Sequence, residues 1–168
     1  MDYSSTAVII PCYNEEEAVP FFLSTVTPLL RATGFSYELV FVDDGSRDAT
    51  VATLTKFAET YPEIRVVELS RNFGKEAAMT AGFTYASGDA IIPMDVDLQD
   101  PPELIPEMVQ KWQEGAKVVH AVRRSRETDS WLSELVSNTV PAKKLLAPRS
   151  AGCKNQALEA SKASGSLL

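Results

Sequence analysis

Apolar and polar positions follow two rhythms along this chain, and the rhythms predict its elements. Ala7 to Ile10 is a short unbroken apolar run that stops at Pro11, which predicts a first strand. Asn14 followed by Glu15, Glu16 and Glu17 predicts a helix start, a capping side chain and then acids against the positive helix end. Val19, Phe22, Val26 and Leu29 or Leu30 keep one apolar face as far as Gly34, with Pro28 inside the stretch as a candidate kink. Tyr37 to Val42 predicts a second strand, closing on Asp43-Asp44-Gly45-Ser46. Val51, Leu54, Ala58 and Tyr61 form a helical stripe, and Ile64 to Leu69 a third strand. Lys75 to Ala86 predicts a helix ended by Gly88, and Ala90 to Met94 a fourth strand. Pro101-Pro102 suits a first helical turn, with Leu104, Ile105, Met108, Val109 and Trp112 on the apolar face before Gly115. Val118 to Val122 predicts a fifth strand.

Strands that alternate with helices predict an α/β fold, an open and mainly parallel sheet covered by helices. The polar sequences that stand out all fall at strand ends: Pro11 to Glu15, Asp43 to Ser46, Ser70 to Lys75 and Asp95 to Gln99. Such sheets bind ligands at the carboxyl ends of their strands, so the four segments are expected to face one crevice.

Composition changes this picture only at its edges. The chain has 168 residues, enough for one domain with a real core. Its net charge of -7 argues against nucleic acid as a partner. Cys12 and Cys153 lie far apart and match no metal spacing, which predicts free thiols in a reducing compartment. Residues 1–6 do not read as a signal peptide, and no apolar run approaches the ~20 residues of a membrane helix. Taken alone, the chain is expected in the cytosol. From Pro141 onward five basic residues face one acidic, among small residues without sustained periodicity, so residues 133–168 are expected to form a divergent, poorly ordered or weakly helical tail.

The chemistry concentrates behind the fourth strand. Asp95 and Asp97 are one residue apart, with the amide of Gln99 two further on. Such a set can close on one hard divalent cation, Mg²⁺ or Mn²⁺, which shares its oxygen ligands with substrate phosphates. Blander readings exist for each feature. The aspartates could be helix-entry acids before Pro101, and Asp43 to Ser46 an ordinary turn. Arg71 and Lys75 read either as solvated surface or as contacts to a phosphate or acceptor group, and the arginines at 123, 124 and 126 could be a solvated run; His120 reads as a packing residue and Cys12 as a small one. A phosphatase of the haloacid dehalogenase type also uses an Asp-x-Asp after a strand. It normally places that motif near its start and follows it with Thr or Val, whereas here Leu98 follows.

Taken in order, Pro-x-Tyr-Asn-Glu at Pro11 to Glu15, Val-Asp-Asp-Gly-Ser at Val42 to Ser46 and the Asp-x-Asp resemble the family 2 glycosyltransferases of the GT-A (Rossmann-like) fold. Arg71-Asn72-Phe73-Gly74-Lys75-Glu76 and Asp95 to Pro101 are similar to its polyprenyl-phosphate branch, which holds dolichyl-phosphate mannose synthase and, as the nearer likeness, bactoprenol glucosyltransferase. The resemblance covers about residues 7–131 and assigns residues 1–132 to the catalytic domain. It implies transfer of a hexose from a nucleotide sugar, UDP-glucose before GDP-mannose, to a polyprenyl phosphate at the cytoplasmic membrane face. It implies that Asp95, Asp97 and Gln99 hold the metal. Pro11, Tyr13 and Glu15 would line the nucleotide pocket, together with Arg71 and Val96, and Val42 and Asp44 would meet the base. Arg123 would face phosphate, with Asp97 and Arg123 as the catalytic pair. Relatives that glycosylate sugar hydroxyls often carry a Glu-Asp base after the Asp-x-Asp; this chain has no Glu-Asp dipeptide, which fits a phosphate acceptor. Full-length relatives add acceptor-facing and membrane segments beyond this length. The sequence therefore also raises the expectation of a truncated chain, one that binds nucleotide sugar and transfers it weakly or not at all.

Overall fold

A computed structural model describes residues 5–121. Its centre is strand β1 (Ser5–Cys12), with β2 (Ser36–Asp43) on one side and β4 (Ala90–Pro93) on the other. Strand β3 (Ile64–Glu68) pairs outside β2, giving the order β3-β2-β1-β4 with every pairing parallel. Helices α1 (Ala18–Ala32), α2 (Thr50–Thr60) and α3 (Lys75–Tyr85) make the crossovers. A short 3-10 turn at Pro102–Leu104 leads into α4 (Ile105–Gln113). The chain thus lays down β1, β2 and β3 in one direction and then crosses back to place β4 beside β1. That reversal opens a crevice between the loops leaving β1 and β4.

Period-two alternation divides the core into two layers. Val8, Ile10, Leu39, Phe41 and Ile92 face α1, α2 and α4, whereas Ala7, Ile9, Val40, Val42 and Ile91 face α3. The first layer is bulky, and Phe22 of α1 meets Phe41 edge-to-face with ring centroids 5.8 Å apart. The second is thin. It closes because α3 brings Ala78 and Gly82 to the sheet: a Cβ on Gly82 would lie 2.2 Å from Cγ2 of Ile9. Glu38 fastens the far end of α3. Its carboxylate accepts hydrogen bonds from the backbone N–H groups of Ser87 and Gly88 and pairs with Arg65 at 3.0 Å.

Strand positions match the sequence reading closely, and helix ends less so. On α1 the buried stripe is Val19, Phe22, Leu23, Val26 and Leu30, so Leu30 and not Leu29 faces inward, and the helix runs on through Pro28. Asn14 does not cap that helix. It lies three residues ahead of the N-cap Glu17 with a left-handed backbone (φ 55°), and no acid occupies the first turn. Tyr61 falls just beyond α2 and is largely exposed. Helix α3 ends before Ala86; Gly88 is needed instead for a close approach, since a Cβ there would lie 2.5 Å from the backbone nitrogen of Ala7. Val118 to Ala121 forms no strand. An apolar run signals burial, and Val119 is buried against the core, but a strand also needs a ladder partner, and none of the four described strands pairs with it. Val122, the arginines at 123, 124 and 126, Cys153 and residues 133–168 lie outside the described residues.

Candidate functional site

The four strand-end segments meet in a cleft of about 420 Å³ at the carboxyl ends of β1, β2 and β4. The loop after β1 contributes Pro11, Tyr13 and Glu15, and the loop after β2 contributes Asp44. The turn into α3 adds Asn72, Gly74 and Lys75, and the loop after β4 adds Asp95, Val96, Asp97 and Gln99. A second hollow, about 270 Å³ between α1 and α2, is lined by Leu23, Phe57, Tyr61 and their neighbours and holds none of the strand-end motifs.

Hydrogen bonds lace the first two loops into one unit. The Asn14 N–H donates to Oγ of Ser46, and the Arg47 N–H donates back to Oδ1 of Asn14. The Glu16 N–H donates to Oδ2 of Asp48, and the Ala49 N–H donates back to Oε2 of Glu16. At the centre, fully buried Thr50 accepts the Glu15 N–H at 2.7 Å and donates its own hydroxyl proton to Asp48 at 2.6 Å. Burial pushes the Asp48 carboxyl up, but the bonds from the Thr50 hydroxyl, the Thr50 N–H and the Glu16 N–H together outweigh it and hold the group below its ordinary range. Sequence reading takes Ser46 only as the end of the Val42 to Ser46 motif and does not single out Asp48 or Thr50. A signal was there, since Asp-x-Thr ahead of a helical stripe is capping chemistry. Thr50→Val keeps the shape and removes both hydroxyl bonds, leaving the Glu15 N–H without its acceptor. The expected loss is about 1–3 kcal/mol of stability, measured by urea unfolding, together with weaker nucleotide binding.

The paired aspartates at the end of β2 divide the work. Asp43 turns inward, and its Oδ2 accepts the N–H groups of Gly45 and Ser46, each at 3.0 Å, which closes the turn. Asp44 reaches across the cleft floor. Its Oδ1 accepts the Phe73 N–H at 2.7 Å, and its Oδ2 accepts the Gly74 N–H at 2.8 Å. Asp44 therefore sets the position of the turn into α3. Gly74 has φ 96°, a conformation open to glycine, and Lys75 follows it as the first residue of the helix.

Acids dominate the cleft. Lys75 Nζ meets Oδ1 of Asp95 at 2.6 Å. Gln99 folds back on Asp97, with Nε2 donating to Oδ2 at 2.7 Å and the backbone N–H to Oδ1 at 3.3 Å. Leu98 between them has a left-handed backbone (φ 55°), which turns the loop so that Asp97 and Gln99 come together. Burial raises the pKa of Glu15, and the carboxylates of Asp97 and Asp48 raise it further. Burial, and then the Glu15 and Asp43 carboxylates, push the Cys12 thiol up, which disfavours the thiolate.

A shared divalent cation fits these donors. Among the described residues no three His, Cys, Asp or Glu side chains gather closely enough to hold a metal by themselves. Mg²⁺ and Mn²⁺ are commonly held by one or two carboxylates with substrate phosphates completing the shell, and Asp95 and Asp97 supply that chemistry in a cleft rich in hard oxygen donors.

Of the residues singled out from sequence, Pro11, Tyr13, Glu15, Asp44, Asp95, Val96, Asp97 and Gln99 line this one cleft. Two do not. The Val42 side chain is fully buried in the layer under α3, because it alternates with Phe41 and Asp43, so the side chain cannot meet a base. Arg71 is exposed and lies over the Phe73 ring, 4.8 Å from its centroid, outside the cleft lining. Arg123 lies outside the described residues.

Comparison with known proteins gives a consistent result. The model of the family described as "Glycosyl transferase family 2" matches residues 7–162. The chain is 47% identical over 126 residues to a prophage bactoprenol glucosyl transferase homolog of Escherichia coli (strain K12), covering 75% of this chain and 41% of that protein. It is 40% identical over 141 residues to an undecaprenyl-phosphate 4-deoxy-4-formamido-L-arabinose transferase of Pectobacterium atrosepticum, covering 83% of this chain and 42% of that one. The chain thus spans about two fifths of the length of these relatives. Among solved structures, a mannosyltransferase from Pyrobaculum calidifontis in complex with GDP-Man and Mn²⁺ superposes with a TM-score of 0.59 at 26% identity, covering 75% of this chain and 38% of that one. No helix among the described residues is long and apolar enough to cross a membrane.

Proposed function

This chain belongs to glycosyl transferase family 2, and from that membership we propose that its cleft binds a nucleotide sugar and passes the hexosyl group to a polyprenyl phosphate at the cytoplasmic membrane face. The observation that carries the reading is the convergence of all four strand-end motifs on one acid-rich cleft beside the sheet's reversal point. Glucose carried by UDP is the favoured donor, in keeping with the glucosyl transferase relative. A GDP-mannose donor is the alternative, in keeping with the ligand of the structural relative. A polyprenyl phosphate acceptor accords with the bactoprenol and undecaprenyl-phosphate relatives. We assign residues 1–132 to the catalytic domain, and the family match runs on to residue 162.

In the reaction a phosphate oxygen of the acceptor forms a bond to the anomeric carbon. The bond from that carbon to the donor's phosphate oxygen breaks, and the nucleoside diphosphate leaves with the electron pair. The acceptor is a phosphate monoester, already ionised at neutral pH (second pKa about 6), so it needs no general base. The barrier lies instead in the charge that develops on the leaving diphosphate. Asp95, Asp97 and Gln99 would hold Mg²⁺ or Mn²⁺, which would supply Lewis-acid stabilisation of that charge. Tyr13 is exposed at the cleft wall and offers a ring face to the base. Asp44 acts by position: with both its oxygens engaged by Phe73 and Gly74, it fixes the turn that delivers Lys75. Glu15 lines the same cleft, where burial and then the carboxylates of Asp97 and Asp48 raise its pKa. Arg123 is assigned to phosphate, as donor or acceptor contact.

A thermal-shift panel of nucleotide sugars tests the reading. UDP-glucose with Mn²⁺ is expected to stabilise the chain by about 2.7 kcal/mol at a ligand concentration of about 100 times Kd, and UDP-glucose with a chelator far less. A folded chain that responds to no nucleotide sugar in the presence of Mn²⁺ or Mg²⁺ would end the proposal. Radiolabelled transfer to a polyprenyl phosphate then separates a working transferase from a binder.

A further inference from the structure

We propose that Lys75 is the cleft's resident counter-ion: it occupies Asp95 until a divalent cation and a nucleoside diphosphate arrive, and its transfer from the carboxylate to the diphosphate couples the binding of the two. The proposal deepens the reading of the cleft as a metal-dependent nucleotide-sugar site and rests on it.

Three observations place Lys75 in this role. Its ammonium sits 2.6 Å from Oδ1 of Asp95, one of the two carboxylates suited to a cation, so a metal and the lysine compete for the same oxygen. Its backbone is fixed where it is, because Gly74 before it is held by Asp44 and the helix begins at Lys75 itself. That position disfavours a cation, since the N-terminal end of a helix carries partial positive charge. Violations of a local preference are expected at functional sites, and this one lies in the lining of the cleft. Burial does not lock the pair, because the Lys75 side chain is 63% exposed and the Asp95 side chain 31%. An exposed pair is weak enough to exchange partners.

The coupling follows from where the ammonium can go. A cation arriving alone must displace Lys75 from Asp95, and the freed ammonium then stands beside the new positive charge. A nucleoside diphosphate arriving with the cation offers that ammonium anionic oxygens in the same cleft. Each ligand therefore improves the affinity for the other by the same factor, as linkage requires. Removing the lysine relieves the competition for the bare cation and removes part of the coupling.

The experiment measures free Mn²⁺ by electron paramagnetic resonance during titration of the full chain and of Lys75→Met, each without nucleotide, with UDP and with GDP. Lys75→Met is expected to bind Mn²⁺ alone about two- to fivefold more tightly than the unaltered chain, the range an exposed ion pair allows. The factor by which the nucleotide improves Mn²⁺ binding is expected to shrink by at least as much. Lys75→Arg, which keeps the charge, is expected to behave as the unaltered chain. Unchanged or weaker Mn²⁺ binding by Lys75→Met without nucleotide overturns the counter-ion role, as does an unchanged coupling factor. If the unaltered chain binds Mn²⁺ with nucleotide and only the variant comparison fails, the role of Lys75 falls and the functional reading stands. If the unaltered chain binds Mn²⁺ under no condition, both fall.

Discussion

Asp97→Asn is expected to abolish the Mn²⁺-dependent part of nucleotide-sugar binding and to lower any transfer rate by about 10²- to 10³-fold, the scale on which losing one stabiliser of developing charge is felt. The substitution keeps the side chain's size and removes the negative charge at the cation. It should leave the fold intact. Asp97 is exposed, its hydrogen bonds among the described residues run within its own loop to Gln99, and surface changes of that kind usually fall within ±0.5 kcal/mol. An internal control comes with it. The Asp97 carboxylate is the second cause, after burial, of the raised Glu15 pKa, so the variant should bring Glu15 down toward its ordinary value. Carboxyl chemical shifts followed through a pH titration would read that change directly. A variant that still shows the full Mn²⁺-dependent thermal shift would remove Asp97 from the metal site, and with it the proposed chemistry.

Gly45→Ala is expected to be the most damaging single methyl in the loops. Gly45 has φ 72°, where an L-residue costs about 1–2 kcal/mol. Its Cβ would also lie 2.5 Å from the carbonyl carbon of Arg71 and 2.7 Å from the backbone nitrogen of Asn72. Those atoms are backbone and cannot swing aside, so overpacking adds about 1–3 kcal/mol. The total, about 2–5 kcal/mol, should appear in urea unfolding. Nucleotide binding should weaken too, because the displaced segment carries the N–H groups that Asp44 holds. Gly34 supplies the control. Its φ of 75° is nearly the same, and no atom of the described residues lies within 4 Å of its would-be Cβ, so Gly34→Ala should show the backbone cost alone. Equal losses at the two positions would mean that the Gly45 loop is free to yield.

Much of this architecture is legible in the sequence, for local reasons. Strands announce themselves by short apolar runs, and the four polar segments behind them had nowhere to go but the carboxyl edge of a parallel sheet. What sequence could not supply depends on partners distant in the chain. Asn14 looks like a helix cap, but Ser46 and Arg47 claim it, more than thirty residues away. Lys75 and Asp95 are twenty residues apart, and nothing in either segment announces the pair. Val42 is a case of another kind, because the burial of its side chain follows from local alternation. Strand alternation already sends Val40 and Val42 to one face and Phe41 to the other, and a side chain committed to the core cannot read a base. For Val118 to Ala121 the apolar pattern correctly signalled burial of Val119 but carried no information about a pairing partner.

The reciprocal bonds between residues 14–16 and residues 46–50 bear on how such a site can be redesigned. Each loop completes the other's backbone hydrogen bonding, so neither is an independent cassette. Grafting one loop from a donor protein would strand the N–H groups that its counterpart satisfied. Both must be transplanted as a matched set, and substitutions at Asn14, Glu16, Ser46 and Asp48 should drift together through sequence space.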